Sequence, residues 1–120
     1  MLENKPGYSV NQEPVGEEFS DDAYFTARGQ DGKEIGNVYG RIEGDSLTFK
    51  NLYVHNNSRR IGIGESLLRR LLEWGKERGT KHIKGNFRPV ESMPREEIVE
   101  WYGRRGIEVT SDDRLKGEID

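Results

Sequence analysis

Val54-His55-Asn56-Asn57-Ser58-Arg59-Arg60-Ile61-Gly62-Ile63-Gly64-Glu65 is where an extended pattern gives way to a helical one, and its reading decides the fold. Downstream, Ile63, Leu67, Leu68, Leu71, Leu72 and Trp74 form a wide apolar stripe at helical spacing, with charged residues on the remainder. The spacing predicts a helix over 62–78, stopped by Gly79, with Lys76 and Arg78 where cations suit the dipole. Upstream, Leu47 and Phe49 are apolar at odd positions, Leu52 and Val54 at even ones. A strand over 46–55 with strict alternation cannot place all four on one face. Either the sheet is buried on both sides, or an extra residue near Lys50-Asn51 forms a bulge and shifts the phase; the residues alone leave both open.

The turn into the helix carries chemistry. The leading amides of a helix lack intrahelical partners and carry the positive end of its dipole, so they are ready donors for an anion. Gly62 and Gly64 let phosphate oxygens approach the backbone, and Arg59 and Arg60 can add charge-assisted bonds. A Walker loop would need a Lys-Ser/Thr pair where Glu65-Ser66 stands, and a dinucleotide fingerprint would need a third small residue where Leu67 stands. The plainer alternative is a tight turn with two solvated arginines.

Before this junction, Tyr24 to Arg28 and Ile35 to Ile42 read as strands joined through Gly29-Gln30-Asp31-Gly32, and Glu43-Gly44-Asp45 leads into the next strand, an antiparallel meander. Met1 to Gln12 reads as a loose arm or an irregular first strand, and Val15 to Phe19 as a short extended piece. After the helix come a strand over 82–87, a connector with Pro89, a second helix over 94–104 directing Ile98, Trp101 and Tyr102 inward, and strands at 107–109 and 115–119 able to form a hairpin. Trp74 and Trp101 read as core by their helical spacing.

The 120 residues suffice for one α/β domain spanning 1–120. With 19 basic and 22 acidic residues the formal net charge is -3, so no general attraction to nucleic acid or anionic membrane is expected, and any polyanion site must be local. The absence of cysteine excludes disulfides and thiolate chemistry, and two histidines in unrelated segments argue against a structural metal. No leader or membrane-spanning pattern stands out, which makes the cytoplasm the expected location.

From about Leu47 to Val109 the sequence resembles the GNAT N-acetyltransferase superfamily. The family's V-x-P-x-x-R-G-x-G-x-G signature is similar to the run Val54 to Gly64, with Arg59, Gly62 and Gly64 in register, Asn56 in place of the proline and Arg60 in place of a glycine. A second feature, an aromatic-tyrosine pair followed by glycine and an apolar residue, corresponds to Trp101-Tyr102-Gly103-Arg104-Arg105-Gly106-Ile107. The resemblance implies a central mixed sheet with helices packed on it and, because no periodic segment lies between the first strands, a reduced N-terminal helical part.

It also implies acetyl-CoA as the donor, its pyrophosphate held by the amides of Arg60, Ile61, Gly62, Ile63, Gly64 and Glu65 with Arg59, and its pantetheine along the backbone of Leu52, Tyr53 and Val54 on a bulged strand. Those last amides would also meet the oxygen charge of the attacked thioester. Tyr102 is implied as the acid for the departing thiolate, Asn86 as a coenzyme contact replacing the family asparagine whose position Arg95 occupies. For the base, His55, Glu43 and Glu91 are candidates. The implied activity is transfer of an acetyl group to a primary amine, of a small molecule or a protein, in a groove left open or completed by a partner such as a second copy. The alternative is a coenzyme-binding or protein-interaction domain of this fold with little catalysis.

Overall fold

The computed structural model describes residues 3–5, 7–14, 21–55, 62–86 and 94–119. Turn chemistry sets out the front half. β1 (Glu3–Lys5), β2 (Tyr8–Glu13), β3 (Asp22–Gly29), β4 (Glu34–Glu43) and β5 (Ser46–Val54) pair antiparallel in succession. Gly32, at φ 81, closes the β3–β4 turn, where its N–H donates to Gly29 O at 3.0 Å. Helix α1 (Ile63–Glu77) then carries the chain over the sheet to β6 (His82–Asn86), which lies parallel to β5, as a parallel pair requires a crossover. Helix α2 (Arg95–Gly103) leads to β7 (Ile107–Val109), and β8 (Arg114–Glu118) returns between β6 and β7. The result is one mixed eight-stranded sheet of order β1-β2-β3-β4-β5-β6-β8-β7.

Of the two readings of the N-terminus, arm or first strand, the structure takes the strand. Residues 8–12 are no loose arm: they belong to β2, where Tyr8 and Val10 are buried and Val10 pairs with Ala27. The Tyr8 hydroxyl reaches 2.9 Å from Ser66 Oγ in the first turns of α1, so a strand with only two apolar anchors is tied down at both its backbone and its side chain. The extended piece expected at 15–19 and the connector with Pro89 and Glu91 lie outside the described residues.

The phase problem in β5 resolves as a bulge. Asn37 pairs with Tyr53 but Tyr39 pairs with Lys50, so Val38 alone faces the two residues Asn51 and Leu52. The extra residue turns both halves of the strand toward the same core. Leu47 and Phe49 are buried on one side of it, and Leu52 and Val54 pack against the same cluster on the other.

Alternation on β4 buries Gly36, Val38 and Gly40, and here glycine is a packing requirement. A methyl at Gly36 would lie 2.9 Å from Tyr53 O and 3.2 Å from Ile63 Cγ2 and Leu67 Cδ1. At Gly40 it would lie 2.5 Å from Leu71 Cδ1. The apolar stripe of α1, Ile63, Leu67, Leu68, Leu71 and Trp74, is buried, so the missing Cβ atoms let it rest on the strand. The other face of the sheet is polar: Thr26, fully buried, donates to Glu13 Oε1 at 2.7 Å, and this bond with that from Arg28 holds the Glu13 carboxyl below its usual range.

Overpacking of this kind costs about 1–3 kcal/mol. Gly36→Ala is expected to lower stability by that amount in urea unfolding. Gly64→Ala, where the nearest atom to a new methyl is Trp101 Cζ2 at 3.4 Å, is expected to hold or raise it, since alanine is favoured over glycine in a helix by about 1 kcal/mol. Equal effects at the two positions would contradict the packing account.

Candidate active site

Helix α1 begins just past Gly62. Gly62 takes a left-handed conformation, φ 88 and ψ 8, that glycine adopts without strain, and no side chain caps the helix. Intrahelical bonding begins with Ser66 N–H donating to Gly62 O at 3.0 Å. The amides of Ile63, Gly64 and Glu65 therefore have no acceptor among the described residues, and the dipole places its positive end there. Gly64 faces inward rather than toward this mouth: a methyl on it would sit 3.4 Å from Trp101 Cζ2 and 3.6 Å from Val54 Cγ2. The contact seats the helix mouth over the far end of β5.

Beside the mouth, β5 and β6 part. Their parallel pairing runs from Ser46 with His82 to Phe49 with Gly85 and ends there, while β5 continues to Val54, still paired to β4. Past Phe49, β5 has no strand on its β6 side among the described residues. The bulge sits at this point. A methyl on Gly85 would lie 2.6 Å from Phe49 O, so the last paired rung demands glycine.

Tyr102 stands at the same place. Its ring centroid is 6.2 Å from that of Phe49 and 5.0 Å from that of Trp101. It is 8% exposed, and burial pushes its phenol up to about 12. The hydroxyl is consequently protonated throughout the physiological range and can give a hydrogen bond but cannot serve as a base.

On the face of the sheet away from the helices a cleft of about 470 Å³ opens at the end of the β5–β6 pairing, with Phe49, Lys50, Gly85 and Asn86 in its wall. Of the base candidates, Glu43 lines this cleft, Glu91 lies outside the described residues, and His55 is exposed at the end of β5, its ring 6.3 Å from that of Tyr53. Asn86 closes β6, opposite Arg114. Arg59, Arg60 and Ile61 lie outside the described residues.

Two features escaped the sequence reading. Arg105 lies 3.9 Å over the Trp101 ring, donates to Trp101 O at 2.8 Å and approaches Glu65 at 3.4 Å, placing a cation beside the α1 mouth. It reads in sequence as an ordinary basic residue after a helix. Lys50, Lys84 and Lys116 come together only through sheet order, which no local spacing reveals. Among the described residues no group of His, Cys, Asp or Glu is placed to hold a metal, and no helix is long and apolar enough to cross a membrane.

The buried phenol has a measurable signature. Because its native pKa is the higher, its contribution to stability is complete below about pH 10, where an unfolded tyrosine begins to ionise, and is lost as pH rises through about 12. Denaturant unfolding between about pH 9 and about pH 11 is expected to weaken more steeply in the wild type than in Tyr102→Phe; parallel curves would contradict the burial of the hydroxyl.

A family model described as an acetyltransferase (GNAT) domain matches residues 20–106. No match was found among curated proteins. Among solved structures, the ribosomal-protein-S18-alanine N-acetyltransferase of Escherichia coli is similar with a TM-score of 0.68 at 20% identity, over 88% of this chain and 72% of that one. The PaiA N-acetyltransferase of Thermoplasma acidophilum in complex with coenzyme A gives 0.67 at 19% identity, over 82% and 61%. An IAA acetyltransferase of Bacillus cereus gives 0.71 at 16% identity, over 92% and 99%. These likenesses show the fold, and the family match covers most of the chain. With its parted parallel strands and uncapped helix, the chain belongs to the GNAT acetyltransferase domain family.

Proposed function

We propose that this protein transfers an acetyl group from acetyl-CoA to a primary amine. The observation that carries the reading is the coincidence, at one end of β5, of a helix mouth that no side chain caps and a strand that β6 follows only as far as Phe49 with Gly85. Three amides with no acceptor among the described residues suit the pyrophosphate of the coenzyme, and the gap where β6 leaves β5 suits its amide-bearing arm. Ile63, Gly64 and Glu65 would hold the phosphates from α1, with Gly62 shaping the turn and Arg59, Arg60 and Ile61 completing the loop. Arg105 adds positive charge at this end. Leu52, Tyr53 and Val54 would align the arm, and Asn86 faces the gap from β6.

When bound, acetyl-CoA supplies an activated carbonyl whose carbon–sulfur bond breaks as the amine nitrogen bonds to the acetyl carbon. Backbone N–H groups near the bulge, from Leu52 to Val54, are the donors for charge growing on the carbonyl oxygen. The amine approaches from the cleft on the other face of the sheet, where Glu43 or solvent takes the proton it sheds; His55, at the exposed end of the strand, stands as a weaker candidate for this role. The Tyr102 hydroxyl donates to the sulfur. Full proton transfer from a phenol at about 12 to a thiolate of ordinary basicity would be uphill by roughly 5 kcal/mol, so the hydroxyl acts by hydrogen bonding and solvent completes the protonation.

Calorimetric titration with acetyl-CoA, followed by thiol-release assays over a panel of amines, tests the reading. Saturable binding and amine-dependent release are expected; binding without release on any amine would favour a coenzyme-binding domain instead. Tyr102→Phe is expected to keep coenzyme affinity and lose about 10²- to 10³-fold in kcat, the usual effect of removing one preorganised donor. Unchanged turnover would remove Tyr102 from the reaction.

A further inference from the structure

The cleft wall carries a charge pattern that folding does not require. Thr48, Lys84 and Lys116 lie abreast on β5, β6 and β8, because Thr48 pairs with Lys84 and Lys84 with Lys116. Leu47 and Phe49 on either side of Thr48 are buried under the helices, so this row faces away from them. Directly opposed like charges on neighbouring strands are destabilising. Lys50, two residues along β5, adds a third ammonium to the wall.

None of these lysines has an ion-pair partner among the described residues. Glu108 pairs with Lys116 from the outer strand without forming an ion pair. Among the described residues the other charged ones lining the cleft are Glu43, Asp112 and Arg114, and Asp112 already lies 3.5 Å from Arg114. In a chain of formal net charge -3, this local cationic surplus runs against the average. The Thr48 hydroxyl, in the same wall, is shielded from solvent and has no hydrogen-bond partner among the described residues.

We infer that the cleft holds the acceptor, and that the acceptor is a small amine carrying one or more carboxylates, gripped by Lys84 and Lys116 with Lys50 toward the strand opening. The inference rests on the acetyl-transfer reading and names its substrate class. A carboxylate between Lys84 and Lys116 relieves their repulsion, and a volume of about 470 Å³ is that of a small-molecule site. Phe49 and Gly85, the last paired rung, border the cleft, so an anchored carboxylate leaves the amine beside the gap where the thioester would emerge. The same cations disfavour the ammonium form of a nearby amine, which helps it arrive as a nucleophile where no buried base stands among the described residues.

Thiol release from acetyl-CoA is to be measured with glutamate, its diamide and putrescine, beside calorimetric titration of glutamate into the protein saturated with coenzyme A. The expected result is a kcat/KM for glutamate at least about tenfold above that of its diamide, since charge-assisted contacts are worth more than 1.4 kcal/mol. The preference should fall with added salt. The doubly substituted Lys84→Gln/Lys116→Gln protein should lose the preference chiefly through KM, with coenzyme affinity retained, and should melt higher than wild type without ligand. Equal or better turnover of the diamide or putrescine would overturn the inference and leave acetyl transfer standing. Glutamate binding that depends on the two lysines, with no release on any amine, would support the anion site and overturn acetyl transfer. Absence of glutamate binding and of any charge preference would overturn the inference outright.

Discussion

One extra residue in β5 governs the architecture of the site. Val38 faces both Asn51 and Leu52, so β5 keeps its apolar residues on the helix side before and after the bulge while changing its course. β6 follows it only as far as Phe49 with Gly85. An edge inside a sheet is ordinarily a liability, because unpaired backbone groups invite another strand. Here that edge lies beside the first turn of α1, and on the acetyl-transfer reading the two together suit a ligand with phosphates at one end and amides along its arm.

The helix is held over that edge by close packing. Gly36 and Gly40 remove the side chains that would lift α1 from β4, and Gly64 admits Val54 and Trp101 at its first turn. Tyr8 fastens the same turn through Ser66, so β2, at the far side of the sheet, helps fix the mouth. Glycines that a motif reading assigns to phosphate approach are therefore divided: Gly62 supplies the left-handed turn, whereas Gly64 is spent on packing.

Much of this was legible in the sequence because it is local. The α1 stripe, the Gly32 turn and the broken parity of Leu47, Phe49, Leu52 and Val54 each follow from residue spacing, and they place α1, the β3–β4 turn and the bulge. β2 was harder to read, since its evidence is a pairing with β3 and a hydroxyl contact made across the sheet. The order of the last strands was not legible at all: β8 returns between β6 and β7, and only this insertion sets Lys116 beside Lys84. Arg105 was overlooked for a similar reason, as its meaning lies in Trp101 and Glu65 on two different helices. Spacing reports neighbours along the chain, whereas a site is made of neighbours across it.

The central claim is that the leading amides of α1 and the edge of β5 past Phe49 bind one coenzyme molecule together. Amide-resolved NMR titration with coenzyme A tests it most directly. The account predicts saturating shifts with one common affinity at Ile63, Gly64 and Glu65 and at Leu52, Tyr53 and Val54. Shifts confined to other surfaces, or none at millimolar coenzyme, would contradict it.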